Sequence, residues 1–242
     1  MGIPPGLAGM LQHGPPVEAR RASSVLLIDH RSQPWTLLMM RRPGGADFAP
    51  SAYVFPGGAE QPGDGALGDG ARVAAVRELF EEMGMLLARR ADGRFATDRD
   101  ARVLGEAIQV AGGFAAGLRA SGLTPALDRL APLTRWITPE AIRRRFDTRF
   151  FVARRPSGQT VRAQADEVDD WLWISPGEAL AAGGPTLVHA TRRILEAIVA
   201  EPEPARLIAR ARRRRERPPV IPVVAPLADG PGFSVSDESM PL

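Results

Sequence analysis

The 242-residue chain contains no cysteine, which excludes disulfides, thiolate metal sites and a cysteine nucleophile. That suits a reducing compartment, and the cytoplasm is the expected location. Lysine is absent as well, so all 31 basic residues are arginine. Arginine stays protonated far above neutral pH, so a pI of about 10.6 accompanies a net charge of only +3. The all-arginine set points more simply to a GC-rich genome than to a nucleic-acid partner. No apolar run approaches the roughly 18–20 residues of a membrane span, so no membrane association is expected. The start, Met1-Gly2-Ile3-Pro4-Pro5, lacks the basic-then-apolar pattern of a signal peptide. Position 6 is glycine, where a myristoylation motif needs serine or threonine. What is present is 44% hydrophobic and 24% charged residues, enough for the core of one globular domain with appendages.

Residues 1–21 read as a loose lead-in, with Gly and Pro crowded into the first 16. Val25-Leu26-Leu27-Ile28 and Thr36-Leu37-Leu38-Met39-Met40 are short apolar runs that predict buried strands, and His30 to Pro34 forms a hairpin-length turn. Ala52-Tyr53-Val54-Phe55 predicts a third strand, stopped by Pro56-Gly57-Gly58. Residues 59–70 read as a loop. From Arg72 to about Leu87 the period turns helical, with Val73, Val76, Phe80 and Met83 on one stripe and Gly84 near the stop. Residues 98–130 read as a helical insertion broken at Gly112-Gly113. Arg135–Ile137, Thr148–Ala153 and Trp171–Ile174 predict three further strands. A helix follows from Pro185 to about Ala200, with Leu187, Thr191, Ile194, Leu195 and Ile198 on one face. Strands and helices out of strict alternation predict an α/β class, a mixed-sheet sandwich spanning residues 22–205. Residues 206–242 read as an Arg-rich segment and a Pro-rich tail.

The informative segment is Arg77-Glu78-Leu79-Phe80-Glu81-Glu82-Met83-Gly84-Met85. At about 100° per residue, the three glutamates share one arc of about 100°, opposite the apolar stripe. Like charges one turn apart oppose helix formation by a few tenths of a kcal/mol. Such a cluster is either solvated or relieved by a hard cation, and Mg²⁺ takes carboxylate oxygens together with phosphates and water. Glu78 and Glu82, one turn apart, are placed to hold one ion, with Glu81 placed to hold a second.

Strand, Phe55-Pro56-Gly57-Gly58, loop and Arg77-Glu78-x-x-Glu81-Glu82-x-Gly84-Met85 resemble the Nudix box, here spanning residues 57–85. Eighteen residues separate Gly58 from Arg77, where the family pattern has 13, so five extra residues fall in the loop. Gly63 and Asp69 fit the spacing without an insertion, but Gly58 directly follows the strand; Asp69 is equally a helix N-cap. Leu38-Met39-Met40-Arg41-Arg42, Phe48-Ala49-Pro50 and Phe146–Phe151 resemble one Nudix subgroup, which includes peroxisomal coenzyme A diphosphatases.

The resemblance implies a Nudix α/β/α sandwich. It implies hydrolysis of a diphosphate linkage with Mg²⁺ or Mn²⁺, and a small nucleotide-type substrate, with coenzyme A or an acyl derivative leading and ADP-ribose, sugar nucleotides, NADH and dinucleotides as alternatives. Glu78, Glu81 and Glu82 would bind metal together with the backbone of Gly57 or Gly58, and Arg77 would orient the glutamates. Many members of the family are homodimers, although no residue pattern here specifies one.

An acid from outside the box is expected among Asp166, Glu167, Asp169 and Asp170, with Glu167 the candidate extra ligand or general base. Arg41, Arg42, Arg149 and Arg154 are candidate phosphate contacts, against the simpler reading of surface arginines. Trp136, Trp171 and Trp173 read as core, with stacking on a base as the alternative. His189 reads as structural, and His13 and His30 carry no visible signal. The cluster Arg210, Arg212–Arg215 and Arg217 keeps open a ligand-sensing regulator or nucleic-acid contact, but no helix-turn-helix or aromatic RNA motif accompanies it. Nucleic-acid binding is therefore not the expected role.

Overall fold

The structure is a computed structural model that describes residues 10–11, 14–46, 48–213, 218–226 and 233–237. In chain order the strands are β1 (Arg20–Asp29), β2 (Thr36–Arg41), β3 (Tyr53–Val54), β4 (Gly57–Ala59), β5 (Ala88–Arg89), β6 (Thr124–Pro125), β7 (Ala131–Ile137), β8 (Phe146–Arg154), β9 (Asp170–Ile174), β10 (Val223–Pro226) and β11 (Phe233–Ser236). The helices are α1 (Gly70–Met83), α2 (Asp98–Ala111), α3 (Phe114–Ala120), α4 (Pro176–Leu180), α5 (His189–Ile198) and α6 (Pro204–Arg213). Among the described residues no helix is long and apolar enough to cross a membrane.

The central sheet is mixed. β1 pairs in parallel with β8 along Arg20–Ile28, and β7 adds to β8 antiparallel. On its other side β1 meets β2 only at the hairpin end, Ile28–Asp29, and β2 is bordered in turn by β9. The two hairpin strands diverge, and the segment 53–59 fills the gap: β3 pairs with Met40–Arg41, while β4 pairs with Ala22–Ser24. This wedge carries Gly57 and Gly58 into the sheet.

Strand side chains alternate between two cores, as a period of two requires. Val25, Leu27, Leu38, Met40 and Phe151 pack with α1, α2 and α3. Leu26, Ile28, Leu37, Met39 and Val152 pack with α5 and α6. A run such as Val25–Ile28 is apolar at every position because both its faces are covered.

α1 follows the expected stripe: Val73, Val76 and Met83 are buried, and Phe80 packs against the same core. Asp69 is its N-cap, accepting from the Ala71 and Arg72 N–H groups, and Gly84 closes it in the left-handed region at φ 65°. The segment 98–130 is helical only to Ala120; β6 and a short turn of 3₁₀ helix at Leu127–Arg129 end it. The start of the Arg-rich segment is the amphipathic α6, which buries Leu207, Ile208 and Ala211 in the second core. The lead-in is anchored through Met10, which is buried and whose carbonyl accepts from Arg143 N–H.

Tyr53 is the chain's only tyrosine. Its hydroxyl donates to the Asp170 carboxylate across β3 and β9, and burial together with that anion pushes its pKa up to about 12. The folded state therefore holds this proton more tightly than the unfolded chain, whose tyrosine ionises near ~10. The resulting stabilisation is fully present below ~10 and disappears as pH rises through about 12. Tyrosinate absorbance is expected to rise with a midpoint near 12 in the native protein and near ~10 in guanidinium. A native midpoint at the ordinary value would remove the Asp170 hydrogen bond from the account.

Candidate active site

Arg77 organises the acidic face of α1. It is 2% exposed, a position an arginine tolerates only when its donors are matched. Its Nε donates to Asp64 at 3.0 Å and its Nη2 to the same carboxylate at 3.1 Å. Nη1 donates to Glu78 at 2.7 Å and to Glu81 at 2.8 Å, and Nη2 also reaches the Ala59 carbonyl at 2.9 Å. Burial opposes the guanidinium's charge, but these carboxylates outweigh it and hold its pKa above the ordinary arginine value. Asp64 is the residue sequence reasoning missed. It is buried in a 3₁₀ turn of the box loop and accepts from Gln61 N–H. A loop acid in a glycine-rich stretch resembles a solvated one, and only the match to a buried arginine distinguishes it.

Glu82 turns the other way and accepts from the Gly57 N–H at 2.8 Å. It is 5% exposed. Burial, then the neighbouring Glu78, pushes its pKa well up, against the pull of the Gly57 N–H and Arg42. Glu78 and Glu81 are likewise raised, chiefly by burial, with Arg77 opposing. Three carboxylates whose charge is disfavoured on one helix face form an unmet electrostatic demand. Among the described residues no three acidic or histidine side chains converge as a ready-made metal cage, since Glu78 and Glu81 face Arg77.

The donor set nevertheless suits a hard divalent cation: it is all oxygen, on one face, with glycine backbone beside it. A Cβ on Gly58 would stand 2.6 Å from the Glu78 carboxylate oxygens, so the missing side chain is the space that Glu78 occupies.

Glu167 lies on an exposed turn that is tied to the end of α1, where Gln164 N–H donates to the Glu82 carbonyl at 2.9 Å and Arg162 N–H to the Met83 carbonyl at 2.8 Å. Its charge acts on Glu78, Glu81, Glu82 and Arg42 together, so the loop brings it to the acidic face. Asp166 and Asp169 are exposed on the same loop; Asp169 accepts from Gly44 N–H and Asp170 from Tyr53.

A cavity of about 410 Å³ includes Gly57, Gly58, Glu78, Glu82 and Arg42 in its lining. Arg42 donates to the Phe48 carbonyl at 2.9 Å, and burial lowers its pKa. Arg41, one residue earlier, belongs to the other side of the strand and is absent from this lining. Along β8, Phe146, Thr148 and Phe150 face the cavity, whereas Arg149 lines a separate depression with Arg72 and Arg212. Arg154 is exposed at the strand's end.

Trp136 is buried in the cavity wall, with its ring 6.0 Å from that of His189. Trp173 packs on the first core, but Trp171 is 38% exposed, contrary to the expected core role. His30 is exposed. His13, Arg214, Arg215 and Arg217 lie outside the described residues.

A family model for the NUDIX domain matches residues 18–107. The chain is 32% identical over 161 residues to the Caenorhabditis elegans protein named "Putative nudix hydrolase 7", covering 66% of this chain and 53% of that one. The chain thus spans about half the length of that curated relative. The crystal structure of a NUDIX hydrolase from Alicyclobacillus acidocaldarius matches at a TM-score of 0.69 with 27% identity, over 80% of this chain and 96% of the other. The mixed sheet with helices on both faces is the Nudix fold, and the segment matched by the NUDIX model places α1 and the Gly57-Gly58 wedge side by side.

Proposed function

We propose that this protein hydrolyses a diphosphate linkage in a nucleoside-diphosphate-linked substrate with a divalent cation, Mg²⁺ or Mn²⁺. One observation carries this reading: Glu78, Glu81 and Glu82 share a half-buried helix face against glycine backbone, with Arg77 and Asp64 fixing the first two and the Gly57 N–H holding the third. Glu78, Glu82 and Glu81 are the residues that would hold the cation. When bound, the cation neutralises phosphate charge and lowers the pKa of coordinated water. The chain's own contributions are to orient Glu78 and Glu81 through Arg77 and Glu82 through the Gly57 N–H, to leave beside Gly58 the room that Glu78 occupies, and to present Glu167 as proton acceptor. Arg42, half-buried in the lining of the same cavity, is the phosphate contact this reading favours over Arg41 and Arg149.

Coenzyme A or an acyl derivative is the leading substrate, on the likeness of Leu38–Arg42, Phe48–Pro50 and Phe146–Phe151 to coenzyme A diphosphatases. The test is a product screen by mass spectrometry with Mg²⁺ and, as control, EDTA. The panel holds coenzyme A, acetyl-coenzyme A, ADP-ribose, NADH and diadenosine polyphosphates. Adenosine 3′,5′-bisphosphate and phosphopantetheine, formed only with metal, are expected. Cleavage of ADP-ribose or NADH instead would keep the chemistry and reject the coenzyme A assignment. No metal-dependent cleavage across the panel would reject the reading.

The two glycines are expected to separate fold from function. In Gly58→Ala the new Cβ meets the end of the flexible Glu78 side chain, which swings aside, so stability holds while kcat falls by about 10²-fold for a displacement near ~1 Å. In Gly57→Ala the Cβ meets backbone atoms of Ser23 and Ser24 in β1, which cannot yield without moving the strand, at a cost of about 1–3 kcal/mol. Thermal unfolding beside kinetics distinguishes them, and equal destabilisation in both would contradict the cradle.

A further inference from the structure

The cavity has a wall that comes from outside the NUDIX match. After α6 the chain returns as an extended strand along β7: Ile137 N–H donates to the Val220 carbonyl at 2.9 Å, and Val220 N–H to the Arg135 carbonyl at 2.8 Å. Beyond that anchor the side chains alternate. Pro222 and Val224 line the cavity, while Ile221 and Val223 are 50% and 62% exposed.

A second attachment lies further on. Asp237, its side chain 3% exposed, accepts from Arg193 Nε at 3.0 Å and sits 2.8 Å from His189 Nε2, both on α5. His189 is itself in the cavity lining and edges against Trp136. Further walls include Phe55, Trp136, Ile142 and the even-numbered face of β8, and the same cavity reaches Gly57, Gly58, Glu78 and Glu82.

We propose that residues 218–224 are a strap completing a binding cavity for the uncharged, largely apolar group that the substrate carries on its diphosphate, with Pro222 and Val224 setting how large that group is. The proposal rests on the diphosphatase reading for what the group is attached to, but not for its seat. The volume is that of a small-molecule pocket, not of a packing defect. Five aromatic rings, Phe48, Phe55, Trp136, Phe146 and Phe150, dominate its walls, a surface for flat or aliphatic groups. Its acidic lining is Glu78 and Glu82, and its arginines are Arg20, Arg42 and Arg144. Two sources share this chemistry: a nucleobase and the amide chain of pantetheine.

The test uses the intact chain and probes without phosphate. Adenosine and pantetheine are titrated calorimetrically in EDTA into the parent protein, Val224→Trp and Glu82→Gln. One of the two is expected to bind the parent and Glu82→Gln alike, and at least about tenfold more weakly to Val224→Trp, whose indole fills the space. Which one binds identifies the source. Val224 is half-exposed at the rim, so the substitution is expected to leave the thermal midpoint unchanged. Should the midpoint fall instead, Asp237→Ala, which releases the strap without adding bulk, decides in its place by the same tenfold criterion. Binding of neither probe to the parent, or undiminished binding to the deciding variant, overturns the proposal. Hydrolysis with an indifferent strap would sink this inference alone, and probe binding without hydrolysis would sink only the diphosphatase reading.

Discussion

With Glu82 replaced by glutamine, kcat is expected to fall by about 10²–10³-fold, the usual cost of deleting a fixed charge aimed at the reacting centre, while the metal-free protein becomes harder to unfold. The two effects share a cause. In the parent, burial and the adjacent Glu78 hold the Glu82 pKa well above its ordinary value. The folded state therefore resists losing a proton that the unfolded chain gives up near pH ~4.3. Stability is fully present below that value and drains as pH rises toward the folded pKa. Glutamine is neutral at every pH, and its carbonyl can still accept from Gly57 N–H, so the variant avoids this loss. Thermal unfolding in EDTA is expected to favour Glu82→Gln at neutral pH and to show no difference near pH ~4. Added Mg²⁺ is expected to stabilise the parent and barely affect the variant. A variant less stable than the parent in EDTA at neutral pH would show that the Glu82 charge is stabilised within the protein itself and would contradict the proposed cation role.

Arg77→Met is expected to reverse this pattern by destabilising the fold itself, by about 3–5 kcal/mol in EDTA. Methionine fills much of the volume but leaves Asp64, Glu78 and Glu81 with no buried cation. Denaturant unfolding measures the loss, and a value below ~1 kcal/mol would place the network among the weak surface pairs. Combined with Asp64→Leu, the cost is expected to be well under the sum of the single changes, because the second substitution removes a charge the first had stranded. A divalent cation should recover part of the stability of Arg77→Met, since it supplies the missing positive charge to two of the three acids.

The parts of the site legible in the sequence were those that repeat with a fixed period. The α1 stripe, its Asp69 cap, the Gly84 stop and the acidic arc all follow from neighbours within one or two turns. Asp64 was not legible, because its role depends on a partner 13 residues away in a loop with no period. Arg41 and Arg149 looked equivalent to Arg42 for a related reason. Sequence shows an arginine at a strand end or on a strand, but which side of the sheet it takes depends on how β2 and β8 sit against their neighbours. In α6 the arginines occupy the outer face, and only Leu207, Ile208 and Ala211 reveal the inner one. The strap at 218–224 reads as a proline-rich tail because a single strand carries no hairpin or helix signature.

The long parallel pairing of β1 with β8 bears on how the molecule assembles. Arg20 lies beside Phe146 and Ile28 beside Arg154, so the strand that anchors the Gly57-Gly58 wedge waits for a partner made much later in the chain. Such non-local closure slows folding, since the intervening loop must be ordered before the contact rewards it. A nascent chain that has emerged only to residue 107 already contains every box residue, yet β1 still presents an open edge and the second core lacks α5 and α6. The unit that a motif recognises is therefore smaller than the unit that folds, and during synthesis β1 keeps an open edge until β8 is made.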